Sequence, residues 1–183
     1  MSRNYKFHER EGIYFVSFAV VEWHFVFTDN AYKEILLKHL RFCIKNRGME
    51  LFSWCIMGNH IHLIFRSIGD YSPESILGNF KRITSMELVK AIKENFQDKR
   101  RMMFLTAFSR AASNVTNVKH FQFWQHDNKP IELWSNRIID QKIDYIHQNP
   151  VKAGLVLYAE DYRYSSAKDY AGEKGLIDGV VVV

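Results

Sequence analysis

A short run of alternating residues near the middle of the chain constrains the fold more than any other feature. His60 and His62 are separated by a single isoleucine. Because successive side chains of a β-strand point to opposite faces of the sheet, the two histidines share one face of a strand. The opposite face then receives the apolar side chains of Ile61, Leu63 and Phe65. The pattern predicts a strand with one side in a core and the other side open to a ligand.

The residues before this strand predict a β-hairpin. Residues 51–57 read as a strand, and Gly58 and Asn59 form a dipeptide of the kind that turns hairpins. Two imidazoles on one face of a strand can bind one divalent metal ion. Ordinary polar histidines on the solvent side of an antiparallel sheet explain the pattern alone equally well.

The flanking segments predict one further strand and two helices. Residues 13–21 are rich in β-branched and aromatic side chains, which favours a strand. Thr28 or Asp29 can cap a helix that ends near Gly48. Ser72, followed by proline and an acidic residue, begins a second helix that runs to about residue 96.

The last predicted strand completes an order of strands and helices that is typical of one fold class. Residues 97–120 contain a polar loop at 113–117 and are otherwise hard to interpret, and residues 121–125 predict a final strand. The order of strand, helix, two strands, helix and strand is typical of an α+β ferredoxin-like sandwich. In that fold a central antiparallel sheet carries its helices on one face, which leaves the other face available to a ligand.

Composition narrows the class of protein. The 183 residues suit a single domain over residues 1–183, and a net charge of +5 gives a moderate preference for polyanions such as nucleic acid. Cys43 and Cys55 are too few for a disulfide framework and suit reduced, buried thiols, which favours the cytoplasm. The longest apolar stretch, residues 13–21, is too short to cross a bilayer, so we expect no membrane partner.

A second informative stretch, residues 136–156, predicts an amphipathic helix. Ile139, Ile143 and Ile146 recur at helical spacing and should pack against the body of the protein. A neighbouring stripe of the same helix consists of Ile138, Lys142, Tyr145 and Asn149. Proline at position 150 disfavours helical geometry at the residue before it, so Asn149 is expected at the helix end. Taken alone, Tyr145 is interpreted equally simply as an amphipathic residue at the rim of the buried stripe.

Together, the two stretches resemble the signature segments of a known family. Residues 54–65, with their Gly-Asn-His-Ile-His, and residues 145–156, which begin Tyr-Ile-His-Gln-Asn-Pro, look like those of the REP-associated tyrosine transposases. These are relatives of the single-strand transposases of small insertion sequences, within the HUH nuclease superfamily. Residues 121–133 and 161–167 are also similar to the family. Gly58 stands where proline or serine is expected.

The resemblance implies a set of functional residues. His60 and His62 match the metal-binding pair, Tyr145 matches the nucleophile, and Asn149 matches the polar residue that completes the metal site. The implied cofactor is Mg²⁺ or Mn²⁺, and the implied fold is the HUH sandwich with a C-terminal helix that carries the tyrosine. Such enzymes cut single-stranded DNA beside a hairpin, leave a 5′-phosphotyrosine and a free 3′-hydroxyl, and can rejoin strands.

Further residues are expected to contact the DNA. Lys142 lies one turn before Tyr145 and can either favour its phenolate form or contact a phosphate. Arg82 and Lys152 are candidate phosphate contacts. Trp124 is a candidate for stacking on an unpaired base, although a tryptophan in an apolar tract also suits the core.

Two alternatives to the transposase function stay open at this point. One is a domesticated, non-catalytic protein that binds DNA hairpins, and the other is a metal nuclease that uses water while Tyr145 is structural. The sequence also leaves a monomer and a homodimer both open. The apolar residues 180–183 could add a strand to a neighbour's sheet or form a frayed tail.

Overall fold

A four-stranded antiparallel sheet forms the centre of the computed structural model, which describes residues 7–113, 120–126, 128 and 130–183. Its strands are β1 (Tyr14–Ala19), β2 (Met49–Ile56), β3 (His60–Ser67) and β4 (Ile131–Glu132). They lie in the order β2-β3-β1-β4, and every pairing is antiparallel. This is the strand order of a ferredoxin-like sandwich, so the predicted α+β fold is confirmed.

Five helices surround the sheet in the described part of the chain: α1 (Asn30–Arg47), α2 (Pro73–Glu94), α3 (Arg101–Ser113), α4 (Asn136–Lys152) and the short α5 (Ala167–Tyr170). The ends of the first two helices follow the predicted signals. The Asp29 carboxylate accepts the Ala31 N–H at the start of α1, and Gly48 ends that helix with a left-handed φ of 64°. The Ser72 hydroxyl caps α2 by accepting the Ser75 N–H.

Apolar side chains form two cores, one on each face of the sheet. The larger core joins the sheet to α1, α2 and α3, and includes Ile61, Leu63 and Phe65 of β3. The smaller core joins the opposite face to α4 through Ile139, Ile143 and Ile146. Helix α4 therefore covers part of the face that carries His60 and His62, and only the remainder of that face is available to a ligand.

The prediction of a final strand at residues 121–125 was wrong. Only Trp124 forms an isolated bridge there, to Val20, and the fourth strand is β4 instead. The segment runs beside the chain just after β1, where Val21 donates to the Phe123 carbonyl. Because β1 ends at Ala19, the segment pairs only with that residue and the two residues after it, and no regular strand ladder forms.

Helix α3 was not predicted, because residues 97–120 showed no clear pattern. Its buried side chains include Phe104, Ala107 and Phe108, which recur at helical spacing and pack into the larger core. The predicted polar loop at 113–117 begins at the last residue of α3, and its other residues lie outside those described.

The outer edge of β2 is covered by the C-terminal segment of the same chain. The backbone of Cys55 forms an isolated antiparallel β-bridge with Ser165, and the Val181 N–H donates to the Leu51 carbonyl at 2.9 Å. Residues 180 and 181 thus lie against their own sheet, which neither of the two predictions for this tail anticipated. A covered edge is protected from pairing with another chain at these positions.

No helix in the described part of the chain is long and apolar enough to cross a membrane.

The glycine of the β2–β3 hairpin is explained by a ring packed against it. A Cβ added at Gly58 would lie 2.8 Å from Cδ1 of Phe25. The Phe27 N–H donates to the Gly58 carbonyl at 2.9 Å, which holds the loop after β1 against the hairpin. Proline or serine, expected here from the family resemblance, would displace the Phe25 ring.

We predict that Gly58→Ser lowers the free energy of unfolding by about 1 kcal/mol, because the new side chain overlaps the Phe25 ring. The cost should largely vanish in a Phe25→Ala background, which makes the two substitutions non-additive. Urea denaturation of the two single variants and the double variant measures this coupling. Gly78→Ser is the matched control, since nothing lies within 4 Å of a Cβ added at Gly78. Equal costs of Gly58→Ser with and without the Phe25 ring would contradict the explanation.

Both cysteines are predicted to be inert in the folded protein. Cys43 and Cys55 are unpaired and buried, and burial raises the pKa of the Cys43 thiol to about 11 and that of Cys55 further. Since the thiolate is the reactive form, neither should react with an aromatic disulfide reagent at pH 8, whereas both should react in denaturant. Gly78→Cys, on an exposed helix position, should add one rapidly reacting thiol. Fast reaction of the native wild-type protein would contradict the burial of these thiols.

Candidate active site on the second face of the sheet

His60 and His62, the histidine pair, converge on one point of the sheet surface. They lie on β3 opposite Ala19 and Ser17 of β1, and their two Nε2 atoms are 3.0 Å apart. The Phe15 ring is stacked on the His62 ring with centroids 5.7 Å apart. The strand alternation predicted from the sequence therefore places both imidazoles on one face, with their Nε2 atoms side by side.

Asn59 fixes the orientation of His60. Its Nδ2 group donates to the Trp23 carbonyl at 3.2 Å, which leaves Oδ1 to accept from His60 Nδ1 at 2.6 Å. A proton on Nδ1 leaves the lone pair of the imidazole on Nε2, the atom that faces His62. Hydrogen bonds of this kind to the second ring nitrogen are what orient histidine ligands in metal sites. The sequence pattern indicated only a turn at Asn59, because this role depends on the distant Trp23 carbonyl.

Burial keeps the histidine pair neutral. His62 is 3% exposed, and its Nδ1 atom has no hydrogen-bond partner within the described residues. Burial lowers the pKa of both imidazoles, that of His62 to about 3, to which the neighbouring positive charges of His60 and Lys142 also contribute. Neutral imidazole is the form that coordinates metal ions.

Helix α4 is fixed to the sheet by a buried polar cluster as well as by its isoleucines. His147 Nε2 lies 2.9 Å from the Ser166 hydroxyl and 3.2 Å from the Ser53 hydroxyl of β2. Ser166 in turn accepts the Trp54 N–H at 3.0 Å. Burial lowers the pKa of His147 to about 4, so the ring is neutral and its Nε2 atom is shared between the two hydroxyls. These contacts join α4, β2 and the segment after α4.

This docking places Tyr145 beside the histidine pair. The Tyr145 ring is 5.5 Å from the His62 ring and 5.9 Å from the Phe15 ring, in edge-on contact with both. Tyr145 nevertheless remains 42% exposed. Lys142 Nζ lies 5.4 Å from the centroid of the Tyr145 ring. Four residues predicted from two distant segments are thus brought together: His60, His62, Lys142 and Tyr145.

Asn149 was expected at the end of its helix, and this prediction was wrong. Helix α4 continues through Pro150 to Lys152, because the buried proline lies in the last turn and interrupts only one backbone hydrogen bond. Asn149 lies one turn beyond Tyr145, and its Nδ2 group donates to the Tyr145 carbonyl at 2.6 Å. Its amide oxygen accepts no hydrogen bond from any described residue and is free to bind a ligand.

The three other predicted DNA contacts are not part of this cluster. Lys152 is exposed at the last position of α4. Arg82 is exposed on α2, where its hydrogen bonds to described residues go to Asn79 and Met86, and α2 packs on the opposite face of the sheet.

Trp124 does not fit the predicted role of stacking on a base. It is 5% exposed in the larger core, where it packs edge-on against the Phe18 and Phe123 rings. Its indole N–H donates to the Thr84 hydroxyl at 3.1 Å. The apolar tract around it favoured this core position, and the face of a buried ring is closed to an unpaired base.

The histidine pair fits a divalent metal ion. Two nitrogen ligands at about 2.1 Å from one ion and at right angles to each other are about 3 Å apart, which agrees with the 3.0 Å between the two Nε2 atoms. In the described part of the chain, no group of three or more histidine, cysteine or acidic residues could hold a metal. The histidine pair therefore offers two nitrogen ligands, and an ion bound to them keeps positions for oxygen ligands.

Comparison with known proteins connects this geometry to a family. Among solved structures, a REP-associated tyrosine transposase bound to a REP hairpin has a similar fold, with a TM-score of 0.61 and 18% sequence identity over 100% of this chain and 94% of that one. A search of curated protein sequences finds no match. The sequence profile described as "Transposase IS200 like" matches residues 13–126, which include the histidine pair and end before Tyr145. This match covers more than half of the chain, and the protein belongs to the IS200-like transposase family.

Proposed function

We propose that this protein is a metal-dependent endonuclease and strand transferase that cuts single-stranded DNA beside a hairpin through a 5′-phosphotyrosine at Tyr145. The observation that carries the proposal is the exposed Tyr145 ring, 5.5 Å from His62 and anchored there by α4. A nucleophile that shares a phosphate with a metal site requires such a position.

The metal proposal rests on the atoms that the site offers. His60 Nε2, His62 Nε2 and the Asn149 amide oxygen would hold Mg²⁺ or Mn²⁺. When bound, the ion supplies positive charge to the oxygens of the scissile phosphate. Asn59 holds the His60 ring with its Nε2 atom toward His62, which prepares the site before the metal arrives.

The chemical step is assigned to Tyr145. Its phenolic oxygen forms a bond to phosphorus, the bond from phosphorus to the 3′ oxygen breaks, and the leaving oxygen takes up a proton to become a free 3′-hydroxyl. The phenolic proton is lost before or during attack, and the nearby Lys142 ammonium stabilises the resulting negative charge. Since the phosphotyrosine bond retains the energy of the phosphodiester, a 3′-hydroxyl can reverse the step and rejoin a strand.

The proposed partner is DNA that contains a hairpin. Family membership supports DNA as the substrate class, and the solved transposase of similar fold is bound to a REP hairpin. The net charge of +5 favours binding to phosphates. Lys142 and Lys152, both on α4, are the proposed phosphate contacts near the site, whereas Arg82 on the opposite face would reach DNA only outside it.

The proposal predicts a covalent protein–DNA adduct. Purified protein is mixed with a labelled single-stranded hairpin oligonucleotide, taken from repeats that flank its coding region, and with Mn²⁺, Mg²⁺ or a chelator. We expect a denaturant-resistant adduct to the 5′ side of the nick that requires metal. Tyr145→Phe should reduce it by at least about 1000-fold, because the attacking oxygen is gone. Replacement of both members of the histidine pair by alanine should abolish adduct formation at every metal concentration.

Tyr158→Phe is the matched control for the loss of a tyrosine hydroxyl. Tyr158 is 65% exposed and does not contact the histidine pair, so this variant should form the adduct at the wild-type rate. Cleavage that persists in Tyr145→Phe would identify a nuclease that uses water. Tight hairpin binding without cleavage in any metal would identify a non-catalytic hairpin-binding protein.

A further inference from the structure

We infer that Trp23 is a stacking platform for an unpaired DNA base next to the phosphate bound at the histidine pair. This inference rests on the proposed function and adds a residue that recognises the substrate. Trp23 lies in a single 3₁₀ turn after β1, at Val21–Trp23.

The position of Trp23 is the first argument. Its ring is 5.9 Å from the His60 ring, at an angle of 71°. The side chain is 56% exposed, and His60 is its sole aromatic neighbour in the described part of the chain. A nucleotide's base is separated from its phosphate only by the sugar, so a phosphate at the histidine pair brings a neighbouring base within reach of this ring.

The backbone conformation is the second argument. Glu22 has φ 54° and ψ 21°, and Trp23 has φ 56°, so two consecutive non-glycine residues occupy the left-handed region. Such residues cost about 1–3 kcal/mol each and persist only where their surroundings enforce them. Glycine or asparagine would adopt this conformation at lower cost. The turn therefore holds a large, exposed ring on the surface in a conformation that its own residue types disfavour.

Contacts from two elements and one hydrogen bond within the turn hold its conformation. The Glu22 carboxylate accepts from Arg110 of α3 at 2.7 Å, and the Trp23 carbonyl accepts from Asn59 of the hairpin at 3.2 Å. The Trp23 N–H donates to the Val20 carbonyl at 3.0 Å. Because Asn59 also holds His60, a single amide side chain fixes the tryptophan turn relative to the histidine pair.

An unpaired base is the occupant that these observations favour. The platform adjoins the proposed metal site in a member of a transposase family, and indole faces stack on bases of any sequence. Trp134 provides an internal comparison. It is 80% exposed, but it contacts no aromatic ring of the described residues. It lies between β4 and α4 and is not in contact with the histidine pair.

The test measures the DNA affinity of proteins with and without the Trp23 ring, on oligonucleotides with and without each flanking base. All proteins carry Tyr145→Phe, so that only binding is observed by fluorescence anisotropy. The probe is a labelled hairpin oligonucleotide with single-stranded flanks, together with a series in which each flanking nucleotide in turn is abasic. Trp23→Ala removes the platform, and Trp23→Asn removes it with a residue that tolerates the left-handed conformation. Trp134→Ala is the matched control.

We expect both Trp23 variants to raise Kd by about 5- to 150-fold, as for the loss of one stacked base, and Trp134→Ala to leave Kd unchanged. With the oligonucleotide that lacks the stacked base, wild-type and Trp23 variants should bind equally. Trp23→Phe should retain most of the affinity, because a smaller aromatic face remains.

Two outcomes would overturn the inference. In one, Trp23→Asn binds every oligonucleotide as tightly as Trp134→Ala does. In the other, the loss of affinity is the same for all abasic oligonucleotides, which indicates a structural role of Trp23. The inference is separable from the proposed chemistry: a base-specific loss in this binding assay, together with no adduct from the protein that retains Tyr145, would support the platform and contradict the nuclease.

Discussion

The docking of α4 on the second face of the sheet is the interaction on which the candidate site depends. Ile139, Ile143 and Ile146 each gain about 1.5–3 kcal/mol from burial against the sheet. His147 then fixes the register of the helix, because its ring must meet the hydroxyls of Ser53 and Ser166. A buried polar group that loses its partner costs more than the bond contributes, so slippage of α4 along the sheet is strongly disfavoured. Tyr145 is held beside His62 as a consequence.

The histidine pair depends in a similar way on the loop after β1. The hairpin supplies His60, Asn59 and Gly58, and each contacts that loop: through the Trp23 ring, the Trp23 carbonyl and the Phe25 ring respectively. Hairpin and loop thus form one unit. Small changes in the loop would move the Nε2 atom that is proposed to bind metal, although no loop residue coordinates the ion.

The parts of the fold that follow from local periodicity could be predicted from the sequence. Alternation placed the histidine pair on one face, and the isoleucine spacing of α4 placed Tyr145 on a flank of a buried stripe. The features that were missed or wrong depend on contacts between distant segments. Residues 121–125 resemble a strand but pair only with the last residue of β1 and the two residues after it. Helix α4 continues past Asn149 because Pro150 occupies a buried position in its last turn. The role of Asn59 requires knowledge of where the Trp23 carbonyl lies.

The central claim is that Tyr145 and the histidine pair act on the same phosphate. A crystal structure of the Tyr145→Phe variant with Mn²⁺ and a hairpin oligonucleotide tests it most directly, since anomalous scattering locates the ion independently of the DNA. We expect one manganese ion bound to both Nε2 atoms, with a DNA phosphate between the ion and the ring at position 145. An ion bound elsewhere, or a scissile phosphate on the side of the histidine pair away from α4, would contradict the account.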